Sequence, residues 1–170
     1  MKRHFMAMFL AVSISMGILC IGAWADTIFT DVEEGSWYEE YVQYCYDNGL
    51  MNGTGSSTFE PGTATTRNMV IQTLYNLYGA PDVSGSSSFH DVVSGAWYED
   101  ALIWGENFGI AQGYGNGNFG PSDIVTREQM ATFFYRYAGL CGYDVSDSAD
   151  LSGYTDEDEI SDWALPYVSQ

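Results

Sequence analysis

The chain repeats itself with a period of 60 residues, and this repeat limits its fold more than any other feature. The shifted copies match without a gap, and the matches include tryptophan, proline, glycine and arginine in one fixed order. Duplication of a structural unit explains such a match better than chance or shared composition. The matched pairs include Phe29 and Phe89, Trp37 and Trp97, Pro61 and Pro121, and Arg67 and Arg127.

A third copy begins near the end of the sequence. Tyr154 and Asp156 have the spacing of the earlier Phe-x-Asp openings, and Trp163 precedes Val168 by the same interval that separates Trp37 from Val42. We therefore divide the chain into a first repeat at residues 26–82, a second repeat at 86–145 and a partial third repeat at 151–170.

The first helix of each repeat is predicted from its apolar spacing. In the first copy the apolar residues from Trp37 to Cys45 recur at helical intervals. Ser36 and Glu39 have the spacing of a capping box at the start of this helix. Gly49 is placed to end it in a left-handed conformation.

The second helix of each repeat is predicted to begin at Thr66 or Thr126, which are favourable N-cap residues. It is predicted to end at Gly79 or Gly139. Met69 cannot complete a capping box in the first copy, because its side chain accepts no backbone hydrogen bond of that kind. Each repeat is therefore predicted to form a helix, a loop and a second helix, with glycine-rich turns in the loop.

Residues 1–25 have the pattern of a secretory signal peptide. Two basic residues precede an apolar stretch from Phe5 to Leu19, and residues 23–25 supply the small side chains of a cleavage site. The stretch is shorter than the roughly 20 residues that span a bilayer. We expect export, cleavage before Asp26 and no membrane span afterwards.

The charge balance argues against a nucleic-acid partner. The chain carries 23 acidic and five basic side chains, which gives a net charge of −18 at neutral pH. A phosphate backbone is bound by clusters of lysine and arginine. Beyond Arg3 the only basic residues are Arg67, Arg127 and Arg136.

No motif of the sequence predicts catalysis or metal binding. His90 is the only histidine after the signal segment. The acidic residues that follow Asp144 do not form an EF-hand, because Ala149 stands where that loop requires glycine. The glycine-rich loops lack the Gly-Lys-Ser/Thr ending of a phosphate-binding loop. We expect no enzymatic activity, no cofactor and no metal ion.

Two cysteines, Cys45 and Cys141, follow the signal segment. Export would permit a disulfide between them. Buried free thiols are the other interpretation, because unpaired cysteine commonly behaves as a small apolar residue. The sequence leaves both open.

Taken together, these motifs resemble S-layer homology repeats, modules of about 55–60 residues that attach exported bacterial proteins to the cell wall. The resemblance rests on Phe-x-Asp-Val, Trp-Tyr, the glycine-rich loop, Phe-x-Pro and Thr-Arg at the head of a helix. It covers two complete repeats and the start of a third. It implies a mainly α fold in which tandem helix-loop-helix repeats form a pseudo-threefold bundle, with one helix of each repeat at the centre.

The resemblance also implies a binding function with no catalysed reaction. Grooves between the repeats would hold secondary cell-wall polysaccharide, often through a pyruvylated sugar, and the protein would lie at the cell wall or in the S-layer. An alternative is a structural module that makes protein–protein contacts at the cell surface.

The resemblance assigns residues to two grooves, and Arg67 and Arg127 match the ligand-facing arginine of the family. The first groove would contain Arg67, the Gly53 loop, Asp91 and Trp97, and the second would contain Arg127, the Gly113 loop and Trp163.

The position of the two arginines supports this interpretation on physical grounds. Each lies at the first position of a helix, where the helix dipole disfavours a cation but free N–H groups favour an anion. The alternative is a structural ion pair with an acidic residue of the neighbouring repeat. For Trp97 and Trp163 the alternative is packing between repeats. For Asp91 it is turn formation.

The third repeat lacks its second helix, so apolar surface of the other two would be left uncovered. We expect a marginally stable monomer or self-association that completes the bundle.

Overall fold

A computed structural model describes residues 28–169, so the predicted signal peptide of residues 1–25 lies outside the described part. This part is helical and contains no strand beyond one isolated bridge between Thr66 and Ile124. None of its helices is long and apolar enough to cross a membrane. The α-helices are α1 (Glu39–Asp47), α2 (Arg67–Leu77), α3 (Glu99–Asn107), α4 (Arg127–Leu140) and α5 (Leu165–Val168), and a 3-10 turn spans Glu157–Glu159.

The duplication seen in the sequence is present in the hydrogen bonds. Helices α1 and α3 have the same length and begin 60 residues apart. Helices α2 and α4 also begin 60 residues apart. In each repeat one aspartate near the start holds the turn that precedes the second helix, a contact across the repeat rather than the local turn that was expected of it. Asp31 accepts the N–H groups of Phe59 and Glu60 at 2.9 and 2.7 Å, and Asp91 accepts those of Phe119 and Gly120, both at 2.8 Å.

The predicted starts of the second helices are confirmed. Thr66 and Thr126 are the N-cap residues of α2 and α4. The Thr126 hydroxyl accepts the Gln129 N–H at 3.2 Å, and the Gln129 side chain accepts the Thr126 N–H at 3.3 Å. The Thr66 hydroxyl instead donates to the Asn68 side chain and caps no backbone N–H. The capping box is therefore formed in the second copy alone, as expected from the presence of Met69 at the matching position of the first copy.

The prediction of a capping box at Ser36 is wrong. Tyr38 is the N-cap of α1, and its side chain accepts no capping bond. The Glu39 carboxylate reaches past Ser36 and accepts the Gly35 N–H at 2.7 Å. Ser36 lies within the preceding turn, where its own N–H donates to the Glu33 carbonyl, so its hydroxyl does not reach the helix start.

One of the predicted helix ends is also wrong. Gly49 ends α1 with a φ of +66°, as expected. Helix α4, however, continues past Gly139, and Gly142 adopts the left-handed conformation with a φ of +79°. The left-handed turn closes through the Gly142 and Tyr143 N–H groups, so a helical backbone at Gly139 satisfies the hydrogen bonds of the last turn.

The core forms where one repeat meets the next. Helix α2 packs against α3 and α4, and α4 packs against α5, so each second helix contacts the first helix of the following repeat. Helix α1 contacts no other helix of the described residues and covers a small separate cluster. The largest fully buried side chains of the main core are Ile71, Leu102, Trp104, Ile110, Phe119 and Phe133.

The two cysteines of the described part are free thiols. Cys45 is half-buried, and burial raises the pKa of its thiol. Cys141 is exposed, which contradicts the expectation of a buried residue, because it caps the end of α4 at the surface.

We predict that Ile71→Ala lowers the free energy of unfolding by about 2–5 kcal/mol, because it leaves a cavity at a fully buried position between repeats. The matched control is Leu77→Ala on the same helix, whose side chain is half exposed. Urea unfolding followed by circular dichroism compares them. Equal losses in the two variants would contradict the placement of the core.

Candidate functional site

The site is built around Arg67, the first residue of α2. Its side chain is 3% exposed and extends into the second repeat. Nε donates to the Phe119 carbonyl at 2.9 Å, and Nη2 donates to the Gln112 carbonyl at 3.0 Å. An arginine of the first repeat therefore fastens the loop of the second repeat.

Aromatic rings surround the Arg67 guanidinium. Its Cζ lies 4.4 Å from the ring centroid of Phe119, 4.7 Å from that of Tyr114 and 5.2 Å from that of Phe133. Such contacts are favourable electrostatically and more so when water is excluded. Burial lowers the pKa of Arg67, while Tyr114 and nearby aspartates oppose this shift.

Arg67 makes no ion pair with a carboxylate of the described residues. The structural ion pair considered for this arginine is therefore wrong, because its charge is held by backbone carbonyls and rings instead. Nη1 makes no hydrogen bond to any residue between 28 and 169. The Nη1 hydrogens are therefore not used by the described residues.

A cavity of about 510 Å³, which we call the arginine cavity, opens beside this guanidinium. All three repeats contribute to it: the first through Arg67, the second through the Gly113 loop and α4, and the third through the segment around α5. Its lining residues are Arg67, Gln112, Gly113, Tyr114, Gln129, Thr132, Phe133, Arg136, Trp163 and Tyr167.

Arg136 is a second cation of the arginine cavity that the sequence interpretation missed. Its Nη2 donates to the Gln112 side chain at 2.9 Å, and its Cζ lies 5.2 Å from the Tyr167 ring centroid. Two signals pointed to it: cations are scarce in this chain, and the matching position of the first repeat is Asn76.

The charge of the arginine cavity is opposite to that of the chain. Two of the five basic side chains line it, and none of its lining residues is acidic. Two guanidinium groups in a half-enclosed site attract anions more strongly than exposed cations do, because less solvent screens them. The arrangement suits a ligand with a carboxylate.

A second cavity of about 590 Å³, the Gly53 cavity, lies at the matching place of the first repeat. It is formed by the Gly53 loop, α2 and Trp97, and no arginine or lysine lines it. Glu60 is its only charged lining residue. Asn76 stands where the arginine cavity has Arg136, so the two cavities differ in charge although their backbones match.

The residues expected in the two grooves are grouped differently in the structure, because Arg67 lies at the other cavity. Gly113 and Trp163 lie at one cavity, and Gly53 and Trp97 at the other, as expected. The grouping of Arg67 with Gly53 is wrong, because α2 packs on the following repeat and delivers its arginine there.

Two expected site residues lie outside both cavities. Arg127 is exposed and lines neither of them. Asp91 lines neither, and its carboxylate is occupied by two backbone N–H groups of its own repeat. These positions do not test a ligand contact of either residue, and the site proposed below uses neither of them.

The loop glycines allow close packing beneath the cavities. A Cβ at Gly113 would lie 2.2 Å from the Asn118 carbonyl oxygen and 2.7 Å from the Phe89 ring. A Cβ at Gly53 would meet the matching groups, Thr58 and Phe29, at 2.5 and 2.6 Å. No side chain fits at either position.

Glu128 connects α4 to the third segment. Its carboxylate accepts the Ser161 N–H at 2.7 Å and the Ser161 hydroxyl at 3.1 Å. Ser161 precedes Trp163 by two residues, so this pair positions the edge of the arginine cavity.

Comparison with known proteins decides the family. The S-layer homology domain matches residues 28–68 and 88–131, which together make up half of the chain. The chain belongs to the S-layer homology domain family. Such a domain is a binding module that anchors proteins to the cell wall, which places this chain at the cell wall or cell surface.

Several larger proteins share this region. The chain is 25% identical to the surface-layer 125 kDa protein of Lysinibacillus sphaericus over 98% of its length, 30% identical to an endoglucanase of Bacillus sp. (strain KSM-635) over 84%, and 27% identical to an amylopullulanase of Thermoanaerobacterium thermosulfurigenes over 85%. It spans only 14%, 15% and 8% of those proteins, respectively.

We predict that Gly113→Ala lowers the free energy of unfolding by about 1–3 kcal/mol, because backbone and a buried ring must move to admit a methyl group. Gly139→Ala is the matched control: it lies within α4 with open space around it and should raise stability by about 0.4–1 kcal/mol. Urea unfolding measures both. A loss in Gly139→Ala as large as in Gly113→Ala would contradict the close packing.

Proposed function

We propose that this chain attaches to the cell wall by binding an acidic secondary cell-wall polysaccharide in the arginine cavity. The observation that carries the proposal is the pairing of Arg67 and Arg136 in a cavity with no acidic lining residue, within a chain of net charge −18. An anionic ligand is attracted there and repelled by most of the remaining surface.

A pyruvylated sugar is the ligand that this cavity fits best. Its carboxylate would accept hydrogen bonds from Nη1 of Arg67 and from the guanidinium of Arg136. Charge-assisted hydrogen bonds of this kind contribute about 1.5–3 kcal/mol each. The planar guanidinium also matches a carboxylate in shape, which a lysine ammonium does not.

The remaining lining suits a sugar ring. Trp163 is 51% exposed and stands at the edge of the cavity with Tyr167, so an aromatic face is available for the apolar side of a pyranose. Gln129 also lines the cavity, and its side-chain N–H group would donate to a sugar hydroxyl, whereas the hydroxyl of the buried Thr132 donates to the Glu128 carbonyl. The acid and the ring are thus recognised by different residues.

One such cavity gives weak, reversible attachment. The Gly53 cavity supplies no cation of its own, so the acid-binding contacts are concentrated in a single place. Durable attachment follows when several modules engage one polymer, because the later contacts form at high effective concentration.

The proposal assigns no catalytic step to the chain. Export through the leader of residues 1–25 and the repeat boundaries at 26–82, 86–145 and 151–170 remain part of it. Neither nucleic acid nor a membrane is a proposed partner.

The test is co-sedimentation of the chain with purified wall sacculi that carry their polysaccharide. Arg136→Gln should weaken binding by about tenfold, the equivalent of one charge-assisted contact. Arg127→Gln removes the same charge from an exposed position outside both cavities and should bind like the parent chain. Circular dichroism confirms that both variants fold.

Sacculi treated to remove pyruvate provide the second arm of this experiment. The parent chain should bind them as weakly as Arg136→Gln binds untreated sacculi. Unchanged binding after both the treatment and the substitution would contradict the proposal. A loss in Arg127→Gln equal to that in Arg136→Gln would also contradict it, because overall charge would then explain the result.

A further inference from the structure

The Gly53 cavity differs from the arginine cavity at two positions that determine charge. Asn76 stands at the position that matches Arg136, and Glu60 stands at the position that matches Gly120. Both differences act in the same direction, because the first removes a cation and the second adds a carboxylate. Two cavities with matching backbones are therefore lined by opposite charges.

Glu60 has a backbone conformation that favours glycine. Its φ is +60°, in the left-handed region, and Gly120 at the matching position has a φ of +73°. A side chain on such a backbone is strained in a way that glycine avoids. Only Ala80 shares a positive φ with Glu60 among the non-glycine residues between 28 and 169. The carboxylate of Glu60 thus lies at the cavity despite backbone strain.

Neighbouring exchanges make room for a side chain at position 60. In the second repeat a Cβ at Gly120 would lie 2.6 Å from the Tyr114 ring and 2.3 Å from the Asp123 carboxylate. The residues that match these two in the first repeat are Thr54 and Thr63, which are smaller. The three positions therefore differ between the repeats as a set. In the first repeat this set provides a carboxylate where the second has an aromatic ring.

The Gly53 cavity holds hydrogen-bond acceptors that the described residues leave unused. The Thr63 hydroxyl donates to Oε2 of Glu60 at 3.2 Å, whereas Oε1 accepts from no residue between 28 and 169. The carbonyls of Asn52 and Phe59 accept no hydrogen bond within that range either. Both matching carbonyls of the second repeat accept the Arg67 guanidinium. The same backbone therefore holds a cation in the second repeat.

The rest of the lining suits a sugar ring. Trp97 is 61% exposed and lines the cavity, so its face is available for the apolar side of a pyranose. The Asn76 amide has two N–H groups and uses one of them, on the Leu50 carbonyl at 3.0 Å. A volume of about 590 Å³ is that of a small-molecule site and is far larger than a bare ammonium ion needs.

We propose that the Gly53 cavity binds an amino sugar through its ammonium group. The ammonium would donate to the Glu60 carboxylate and to the free carbonyls of the same cavity, and the ring would lie against Trp97. An ammonium has three donors and no acceptor, which matches a lining of unused acceptors without a cation. This site is distinct from the arginine cavity, and its ligand carries the opposite charge. It does not depend on the proposed function.

The experiment titrates the full chain, labelled with ¹⁵N, with D-glucosamine at about pH 6, where the amine is protonated. Amide shifts are expected in the Gly53 loop, together with a shift of the Trp97 indole N–H. N-acetylglucosamine carries no positive charge and should bind at least about tenfold more weakly. Methylammonium carries the charge without the ring and should also bind at least about tenfold more weakly.

Glu60→Gln removes the carboxylate and should weaken glucosamine binding about tenfold. The matched control is Glu34→Gln, because Glu34 is exposed and lines neither cavity, and it should bind like the parent chain. Glu60→Gly restores the residue of the second repeat and should bind as weakly as Glu60→Gln. Its urea midpoint should not fall below that of the parent chain, because glycine relieves the strain at a φ of +60°.

Three results would overturn the proposal. Equal binding of glucosamine and N-acetylglucosamine would show that the amine is not recognised, and equal binding of methylammonium would show that the ring is not. Equal losses in Glu60→Gln and Glu34→Gln would assign the effect to the net charge of the chain. A urea midpoint of Glu60→Gly below that of the parent would show that Glu60 serves stability and would overturn the proposal as well.

Discussion

The Arg67 guanidinium determines how the first repeat meets the second. It leaves the start of α2, crosses to the neighbouring repeat and donates to two carbonyls in the loop that forms the arginine cavity. Buried charges are costly unless hydrogen bonds and neighbouring groups compensate. Here two carbonyls and three aromatic rings provide that compensation, so one side chain both joins the two repeats and lines the cavity of the proposed ligand.

Under the proposed function, this arrangement gives an acidic protein a site for an acidic ligand. Acidic side chains outnumber basic ones by 23 to five, but none of them lines the cavity that contains Arg67 and Arg136. In the proposed function, selectivity would follow from this contrast, because an anion is repelled over most of the surface and attracted at one place. Attachment to an anionic wall polymer then needs no net positive charge.

The sequence predicted most of what lies within one repeat, but not the start of α1 at Tyr38 or the end of α4 beyond Gly139. The 60-residue shift located both copies of α1 and α2, and Thr66 and Thr126 marked helix starts correctly, because caps and apolar spacing are local properties. The sequence did not predict that Arg67 contacts the Gly113 loop. A repeat period identifies corresponding residues, but it does not identify which repeats are in contact. Arg136 was not predicted because it differs from its counterpart, Asn76, and a repeat pattern singles out only the positions that match.

The guanidinium resonances of the arginines test the central claim most directly, because the chain contains only four arginines and each can be assigned by substitution. The spectra are recorded while a pyruvylated monosaccharide is added, and again with the same sugar lacking pyruvate. The account predicts that the resonances of Arg67 and Arg136 shift with the pyruvylated sugar alone and that those of Arg127 do not move. Shifts at Arg127 without shifts at Arg67 and Arg136 would contradict it.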